Sequence, residues 1–236
     1  MIATGINAAL VLLGSVLGLL FKNFIRERFM FIITSALGLC VLGIGVSSMI
    51  GTQDTLCVIV CMVVGTLLGE GIDIERRLEG AGDLIRRRLI KGESANRFTE
   101  GFVTASLLYC VGAMAITGSI EAGLNHNYEI IISKGVIDGV TSISFAATMG
   151  VGVAFSVIPL FVYQGAITLL ASVVGPYLGD AVITEMSAVG GTLIVAIAIN
   201  MLGLGKHKIK VGNMLPAIFL PIVYLPAVSW LTGLLS

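Results

Sequence analysis

Long stretches of this chain carry no charged side chain, and that feature limits its fold more than any other. Met1 to Phe21 and Phe29 to Gln53 contain no Asp, Glu, Lys or Arg. A span needs about 20 largely apolar residues, because the hydrocarbon core is about 30 Å thick and a helix rises about 1.5 Å per residue. Composition agrees: 12% of the 236 residues are charged, 56% are hydrophobic, and mean hydropathy is +1.03. A water-soluble domain carries roughly twice that share of charge. The sequence therefore predicts an all-α, polytopic transmembrane helix bundle. It forms one domain over 1–236, with membrane lipids as its surroundings.

Windows of span length fall at 3–21, 29–50, 55–72, 100–119, 133–157, 160–178, 181–203 and 212–235, which gives eight spans. The apolar stretch from Lys134 to Gly179 is too long for one helix, and Pro159 is the expected break. The central pair 133–178 is then two spans or a re-entrant pair. Lys22, the first charge, follows the first apolar run, so that run is expected to be a retained helix and not a cleaved signal.

Charge is distributed unevenly between the connections. Thirteen of the 14 basic residues lie in 22–28, 73–97 and 204–210, and eight spans put all three segments on one side. Basic connections mark the cytoplasmic face, so the protein is expected in a bacterial cytoplasmic (inner) membrane with both termini outside. Segment 73–97 mixes Ile74, Leu78 and Ile85 with Glu75, Glu79 and the arginines. It is expected to be an amphipathic helix or hairpin on the inner face, with Arg86, Arg87 and Arg88 toward anionic headgroups. It has no aromatic platform or base-reading motif, so no nucleic-acid partner is expected.

The chain also repeats itself. Residues 11–28, VLLGSVLGLLFKNFIRER, resemble 62–77, MVVGTLLGEGIDIERR, and FIITSALGLC at 31–40 resembles GFVTASLLYC at 101–110. These place repeat-like helical pairs at 3–50 and 55–119, with a fainter one at 181–235. Small residues four apart (Gly14/Gly18, Gly65/Gly69, Gly135/Gly139) suit close helix packing, and they make a homo-oligomer plausible.

Polar residues inside spans are costly and so point to function. Asp138 is the sharpest case, with Thr141 and Ser142 on the same helical face; the bland reading is an ion pair with Lys134 near the outer surface. Glu185 enters its span at similar depth, and two facing carboxylates would favour a shared proton or a cation. Gln164 and Asn200 lie toward the inner side. Glu70 sits at the inner end of the third span, where Arg76 or Arg77 could pair with it. Gly150, Gly152, Pro159, Pro216, Pro221 and Pro226 interrupt helices, as happens along a permeation path. Cys57 and Cys61 share a helical face without a nearby His or carboxylate in sequence, so neither zinc nor a disulfide is expected, and no cofactor.

The phrases IDGVTSISFAATMGVGVAFSVIPLFVYQGAITLLA (137–171) and MSAVGGTLIVAIAINMLGLGKHKIKVGNMLPAIF (186–219) resemble the bacterial membrane proteins of domain-of-unknown-function family 554. GINAALVLLGSVLGLLFKN and GTLLGEGIDIE fit the same family, and the likeness covers essentially the whole chain. It implies a polytopic protein of a kind often labelled only as a candidate transporter, and it brings no substrate or catalytic residue with it.

The residues favour a secondary transporter of a small polar solute or ion, with Asp138, Thr141, Ser142 and Glu185 on the path and Gln164, Asn200 and Glu70 on the inner route. An oligomeric ion channel, or a non-transporting membrane scaffold or sensor, are the alternatives. No enzyme is expected: HExxH and GxSxG are missing, and the histidines are His126 and His207, in connections.

Overall fold

The computed structural model describes residues 1–22, 27–89 and 98–235; Arg26, Lys91 and Arg97 lie outside the described residues. Every regular element among the described residues is helical. The order is α1 (Ile2–Lys22), α2 (Glu27–Ile50), α3 (Thr55–Ile72), α4 (Ile74–Leu89), α5 (Phe98–Cys110), α6 (Ala113–Leu124), α7 (Glu129–Met149), α8 (Gly152–Phe155), α9 (Val157–Leu169), α10 (Ala171–Val174), α11 (Asp180–Leu202) and α12 (Pro221–Leu235). Short 3₁₀ segments, Gly175–Tyr177 and Val211–Phe219, precede α11 and α12.

Among the described residues, six helices are long and apolar enough to cross a membrane, or up to eight if each of two bent pairs is one span. The bent pairs are α5 with α6, at 59°, and Val211–Phe219 with α12, at 44°. The outward surface is apolar, with Phe31, Leu67, Val162 and Trp230 each about two-thirds exposed or more. Such a surface suits lipid. In its most apolar window α11 is 67% buried, against 17% for α2, so α11 is the central post and α2 an outer wall.

Three expected boundaries move. The fifth span begins at Glu129 and not at 133, so Asp138 lies nine residues from its start, about 13 Å along the axis. It ends at Gly150, which takes φ +84°, and not at Pro159. Pro159 falls in the first turn of α9, where a missing N–H breaks no helical bond. The expected span 100–119 is broken after Cys110, where Gly112 has φ +129°. The segment expected as the last span, 212–235, bends ahead of Pro221, and its first half is 3₁₀, with Pro216 inside it.

Close backbone approach fixes the packing. A Cβ on Gly14 would overlap the Gly139 carbonyl oxygen, and one on Gly18 would overlap that of Ile143. Asn7 lies against Gly135 and Leu10 against Gly139. Contacts that advance together along both helices mean that α1 and α7 run parallel. By the same logic α2 and α11 are antiparallel, since Gly38 meets Leu202 and Gly45 meets Gly191 and Val195. Helix α3 runs antiparallel to Val211–Phe219, with Gly65 on Ala217 and Gly69 on Asn213.

Gly14→Val should therefore force α1 off α7 and destabilise the protein by on the order of 3 kcal/mol. Gly5→Ala, on the same helix with nothing within 4 Å of the added carbon, should be neutral or slightly stabilising. Thermal unfolding of the two variants in detergent checks the contrast.

Candidate functional site

The site begins with a main-chain fault. Breaking the helix at Gly112 leaves the last carbonyls of α5 without their usual N–H partners. In lipid an unpaired carbonyl costs several kcal/mol, because no water reaches it. Lys134 of α7 meets that need, its Nζ donating to the Tyr109 carbonyl oxygen at 2.8 Å. The same Nζ donates a charged hydrogen bond to Asp138 Oδ2, one turn further along α7. Both side chains are enclosed, Lys134 at 6% and Asp138 at 7% exposure.

Helices α1 and α9 close the site. Asn7, fully buried on α1, faces the Asp138 carboxylate and donates from Nδ2 to Gln164 Oε1 at 2.9 Å. That leaves Asn7 Oδ1 and Gln164 Nε2 without partners in the protein. Flipping both amides only exchanges which atoms are orphaned; one donor and one acceptor remain. The hydroxyls of Thr4 and Thr168, one turn from Asn7 and Gln164 respectively, are also buried and unpartnered. Tyr109 points its hydroxyl toward Thr141 without completing a hydrogen bond. Buried polar groups are nearly always paired, so a cluster of orphans around an ion pair suits a small guest that both donates and accepts.

An apolar cavity of about 190 Å³ lies between α5, α9 and Val211–Phe219. Cys110, the residue next to Tyr109, and Tyr163, next to Gln164, are part of its wall.

A model of a protein of unknown function (DUF554) matches residues 2–225 of this chain. The chain belongs to that family. It is 32% identical over 225 residues to the uncharacterized membrane protein YdfK of Bacillus subtilis, covering 94% of each. It is 30% identical over 218 residues to the uncharacterized protein YqgA of Escherichia coli K12, covering 91% of this chain and 92% of the relative. No solved structure matches it.

Of the residues singled out in the sequence, this DUF554 protein brings Asp138 and Gln164 together, through Asn7. Asp138 does pair with Lys134, though enclosed and not at an open surface. Thr141 Oγ1 donates to the Asp138 carbonyl. Ser142 donates to the carbonyls of Gly139 and Val11, joining α7 to α1.

Glu185 is elsewhere. Its carboxylate accepts from Thr52 Oγ1 at 2.6 Å, Gln53 N at 2.8 Å and Asp54 N at 3.1 Å. It pins the α2–α3 turn to α11, and it shares no hydrogen-bond partner with Asp138. Asn200 braces the connection after α11, exchanging two bonds with the main chain of Ile209.

Glu70 accepts from Lys210 Nζ at 2.7 Å and Asn213 Nδ2 at 2.5 Å, and not from Arg76 or Arg77. Beside it the Glu75 carboxylate accepts from Gly212 N, while Glu75 N donates to Asn213 Oδ1. These bonds tie the 3₁₀ segment to the α3–α4 junction. The sequence reading passed over Asn7 and the Tyr109 carbonyl. Asn7 had a signal, the i, i+3 pair of polar residues Thr4 and Asn7 at the start of a largely apolar span. The carbonyl had none, because only the break at Gly112 frees it.

Glu185→Ala should lower stability by on the order of 2 kcal/mol, since it removes the shared acceptor of the Thr52 hydroxyl and the Gln53 and Asp54 N–H groups; an unchanged unfolding midpoint would contradict the pinning role. Burial pushes the Glu75 carboxyl above the usual carboxylate range, against the Gly212 N–H. A group raised in the folded state favours folding at acid pH, and that contribution is lost as pH rises through its folded pKa. The stability gained by Glu75→Gln over the wild type should therefore grow with pH across that range, in unfolding midpoints measured from mildly acid to neutral buffer.

Proposed function

We propose that this protein is a secondary transporter of a small polar solute in the bacterial cytoplasmic membrane, and not an enzyme. The observation that carries the reading is the enclosed ion pair Lys134–Asp138 with the unpartnered Asn7 and Gln164 amide atoms beside it. Buried charge and unsatisfied amides oppose stability, so a site that keeps them has a use for them. The ion pair is neutral as a whole, and the amides offer one donor and one acceptor. A zwitterion or an uncharged polar metabolite matches that inventory.

The helix directions support eight spans. With α1 and α7 parallel, the chain between them must cross the membrane an odd number of times. Helices α2 and α3 supply two crossings, so α5–α6 supplies the third and is a broken span, not a re-entrant loop. The bend of 44° at Pro221 leaves α12 continuing in the direction of the 3₁₀ segment. Eight spans put Lys22, α4 and the Lys206–Lys210 connection on one face, which the positive-inside tendency makes cytoplasmic, with both termini outside.

Each half of the chain then holds three continuous spans followed by one broken span, a parallel repeat of the sort carriers use. The cavity walled by Cys110 and Tyr163 lies on the α4 side of the site, with Leu78 in its wall, and it supports a route from the cytoplasmic face.

A thermal-shift screen of small polar metabolites against the purified protein should yield a stabilising solute, and that solute should cross proteoliposomes saturably. Asn7→Leu and Gln164→Leu should weaken its binding by about tenfold or more, one lost buried hydrogen bond being about 1.4 kcal/mol or above. Wild-type flux through Asp138→Asn, with the protein folded, would sink the proposal. Flux that never saturates would point to a channel.

A further inference from the structure

Lys134 is placed as a bound cation would be. Its Nζ lies against the Asp138 carboxylate and 2.8 Å from the Tyr109 carbonyl oxygen, at a helix break. Hard monovalent and divalent ions take such oxygens, carboxylates and main-chain carbonyls together. Carriers often hold sodium at unwound backbone of this kind. Here an ammonium on a four-carbon tether has arrived first.

Asn7, with an unpartnered Oδ1, faces the same carboxylate from α1. The seat is thus more than a chance ion pair on one helix: α1, α5 and α7 each contribute to it. Among the described residues, Lys134 is the only charged group acting on the Asp138 carboxylate. Glu121 of α6 accepts from Asn125 at the end of its own helix, and α8 has no charged residue.

We propose that the Asp138 carboxylate and the Tyr109 carbonyl form a seat for a monovalent cation that the Lys134 ammonium fills permanently, so that this protein works without sodium. The inference rests on the same site as the transport reading but does not need the solute to be known. Removing the Lys134 side chain should empty the seat and turn it into a site for small free cations.

The test uses the full-length purified protein in detergent, with unfolding followed by the fluorescence of its one tryptophan, Trp230. Salt is varied among sodium, lithium, methylammonium and choline chlorides at constant ionic strength. The wild-type midpoint should be the same in all four. Lys134→Ala should unfold several degrees lower in choline, whose bulk the seat excludes, and regain much of that loss in sodium or methylammonium. Lys134→Arg should stay insensitive, and Lys134→Ala/Asp138→Asn should lose the response.

A Lys134→Ala protein that responds alike to every cation overturns the proposal. So does a wild-type protein that sodium stabilises through Asp138. If Lys134→Ala does not fold, radiosodium binding to the wild type decides. No bound sodium upholds the occupied seat, and binding abolished by Asp138→Asn overturns it. A cation response without any solute flux would leave the seat standing and remove the transport reading instead.

Discussion

Inside a bilayer a main-chain carbonyl must find its partner within the protein, and the bond from Lys134 to the Tyr109 carbonyl follows from that constraint. A continuous helix from Phe98 to Leu124 would need no such help. The break at Gly112 creates the need, and α7 answers it with an ammonium that then needs its own counter-charge, Asp138. The polar centre of this bundle is one chain of consequences. A broken helix calls in a cation, the cation calls in a carboxylate, and the carboxylate draws Asn7 and Gln164 around it.

That centre holds together because the helices around it approach so closely. Gly14, Gly18 and Gly139 bring the backbones of α1 and α7 into contact, and this places Asn7 within reach of Asp138. Lipid supplies no hydrophobic push between helices, so association depends on packing and on buried hydrogen bonds. The same economy recurs on the α4 side, where Gly65 and Gly69 admit the 3₁₀ segment. Asn213 and Gly212 then bond Glu70 and Glu75. Four carboxylates, Glu70, Glu75, Asp138 and Glu185, thus do two different jobs. Glu185, Glu70 and Glu75 tie connections to helices, with their oxygens occupied by local donors. Asp138 alone among them sits against a buried cation and orphaned amides.

Residue type and spacing carried part of this. Asp138 stood out as a carboxylate in an apolar run, and Lys134 four residues earlier made the pair foreseeable. Glu185 looked equivalent, because depth along a helix can be counted from sequence while rotation and neighbours cannot. Its partners come from the α2–α3 turn, more than 130 residues away in the chain. Pro159 misled for a local reason: proline in a first helical turn breaks no bond, and the interruption falls instead at the positive-φ Gly150, which the sequence marks as a breaker but does not rank above Pro159.

Hydropathy and charge, read along the chain, were enough to determine a polytopic helical membrane protein, most of its helix limits and the glycine faces used for packing. These follow from the energetics of single segments in oil, which each segment's composition reports. Which helices meet, in which direction and around which atoms was decided only in three dimensions. Contacts such as Asn7 with Gln164 and Lys134 with the Tyr109 carbonyl join distant segments. One of them depends on a main-chain atom that every residue possesses and that only a particular fold leaves unpaired.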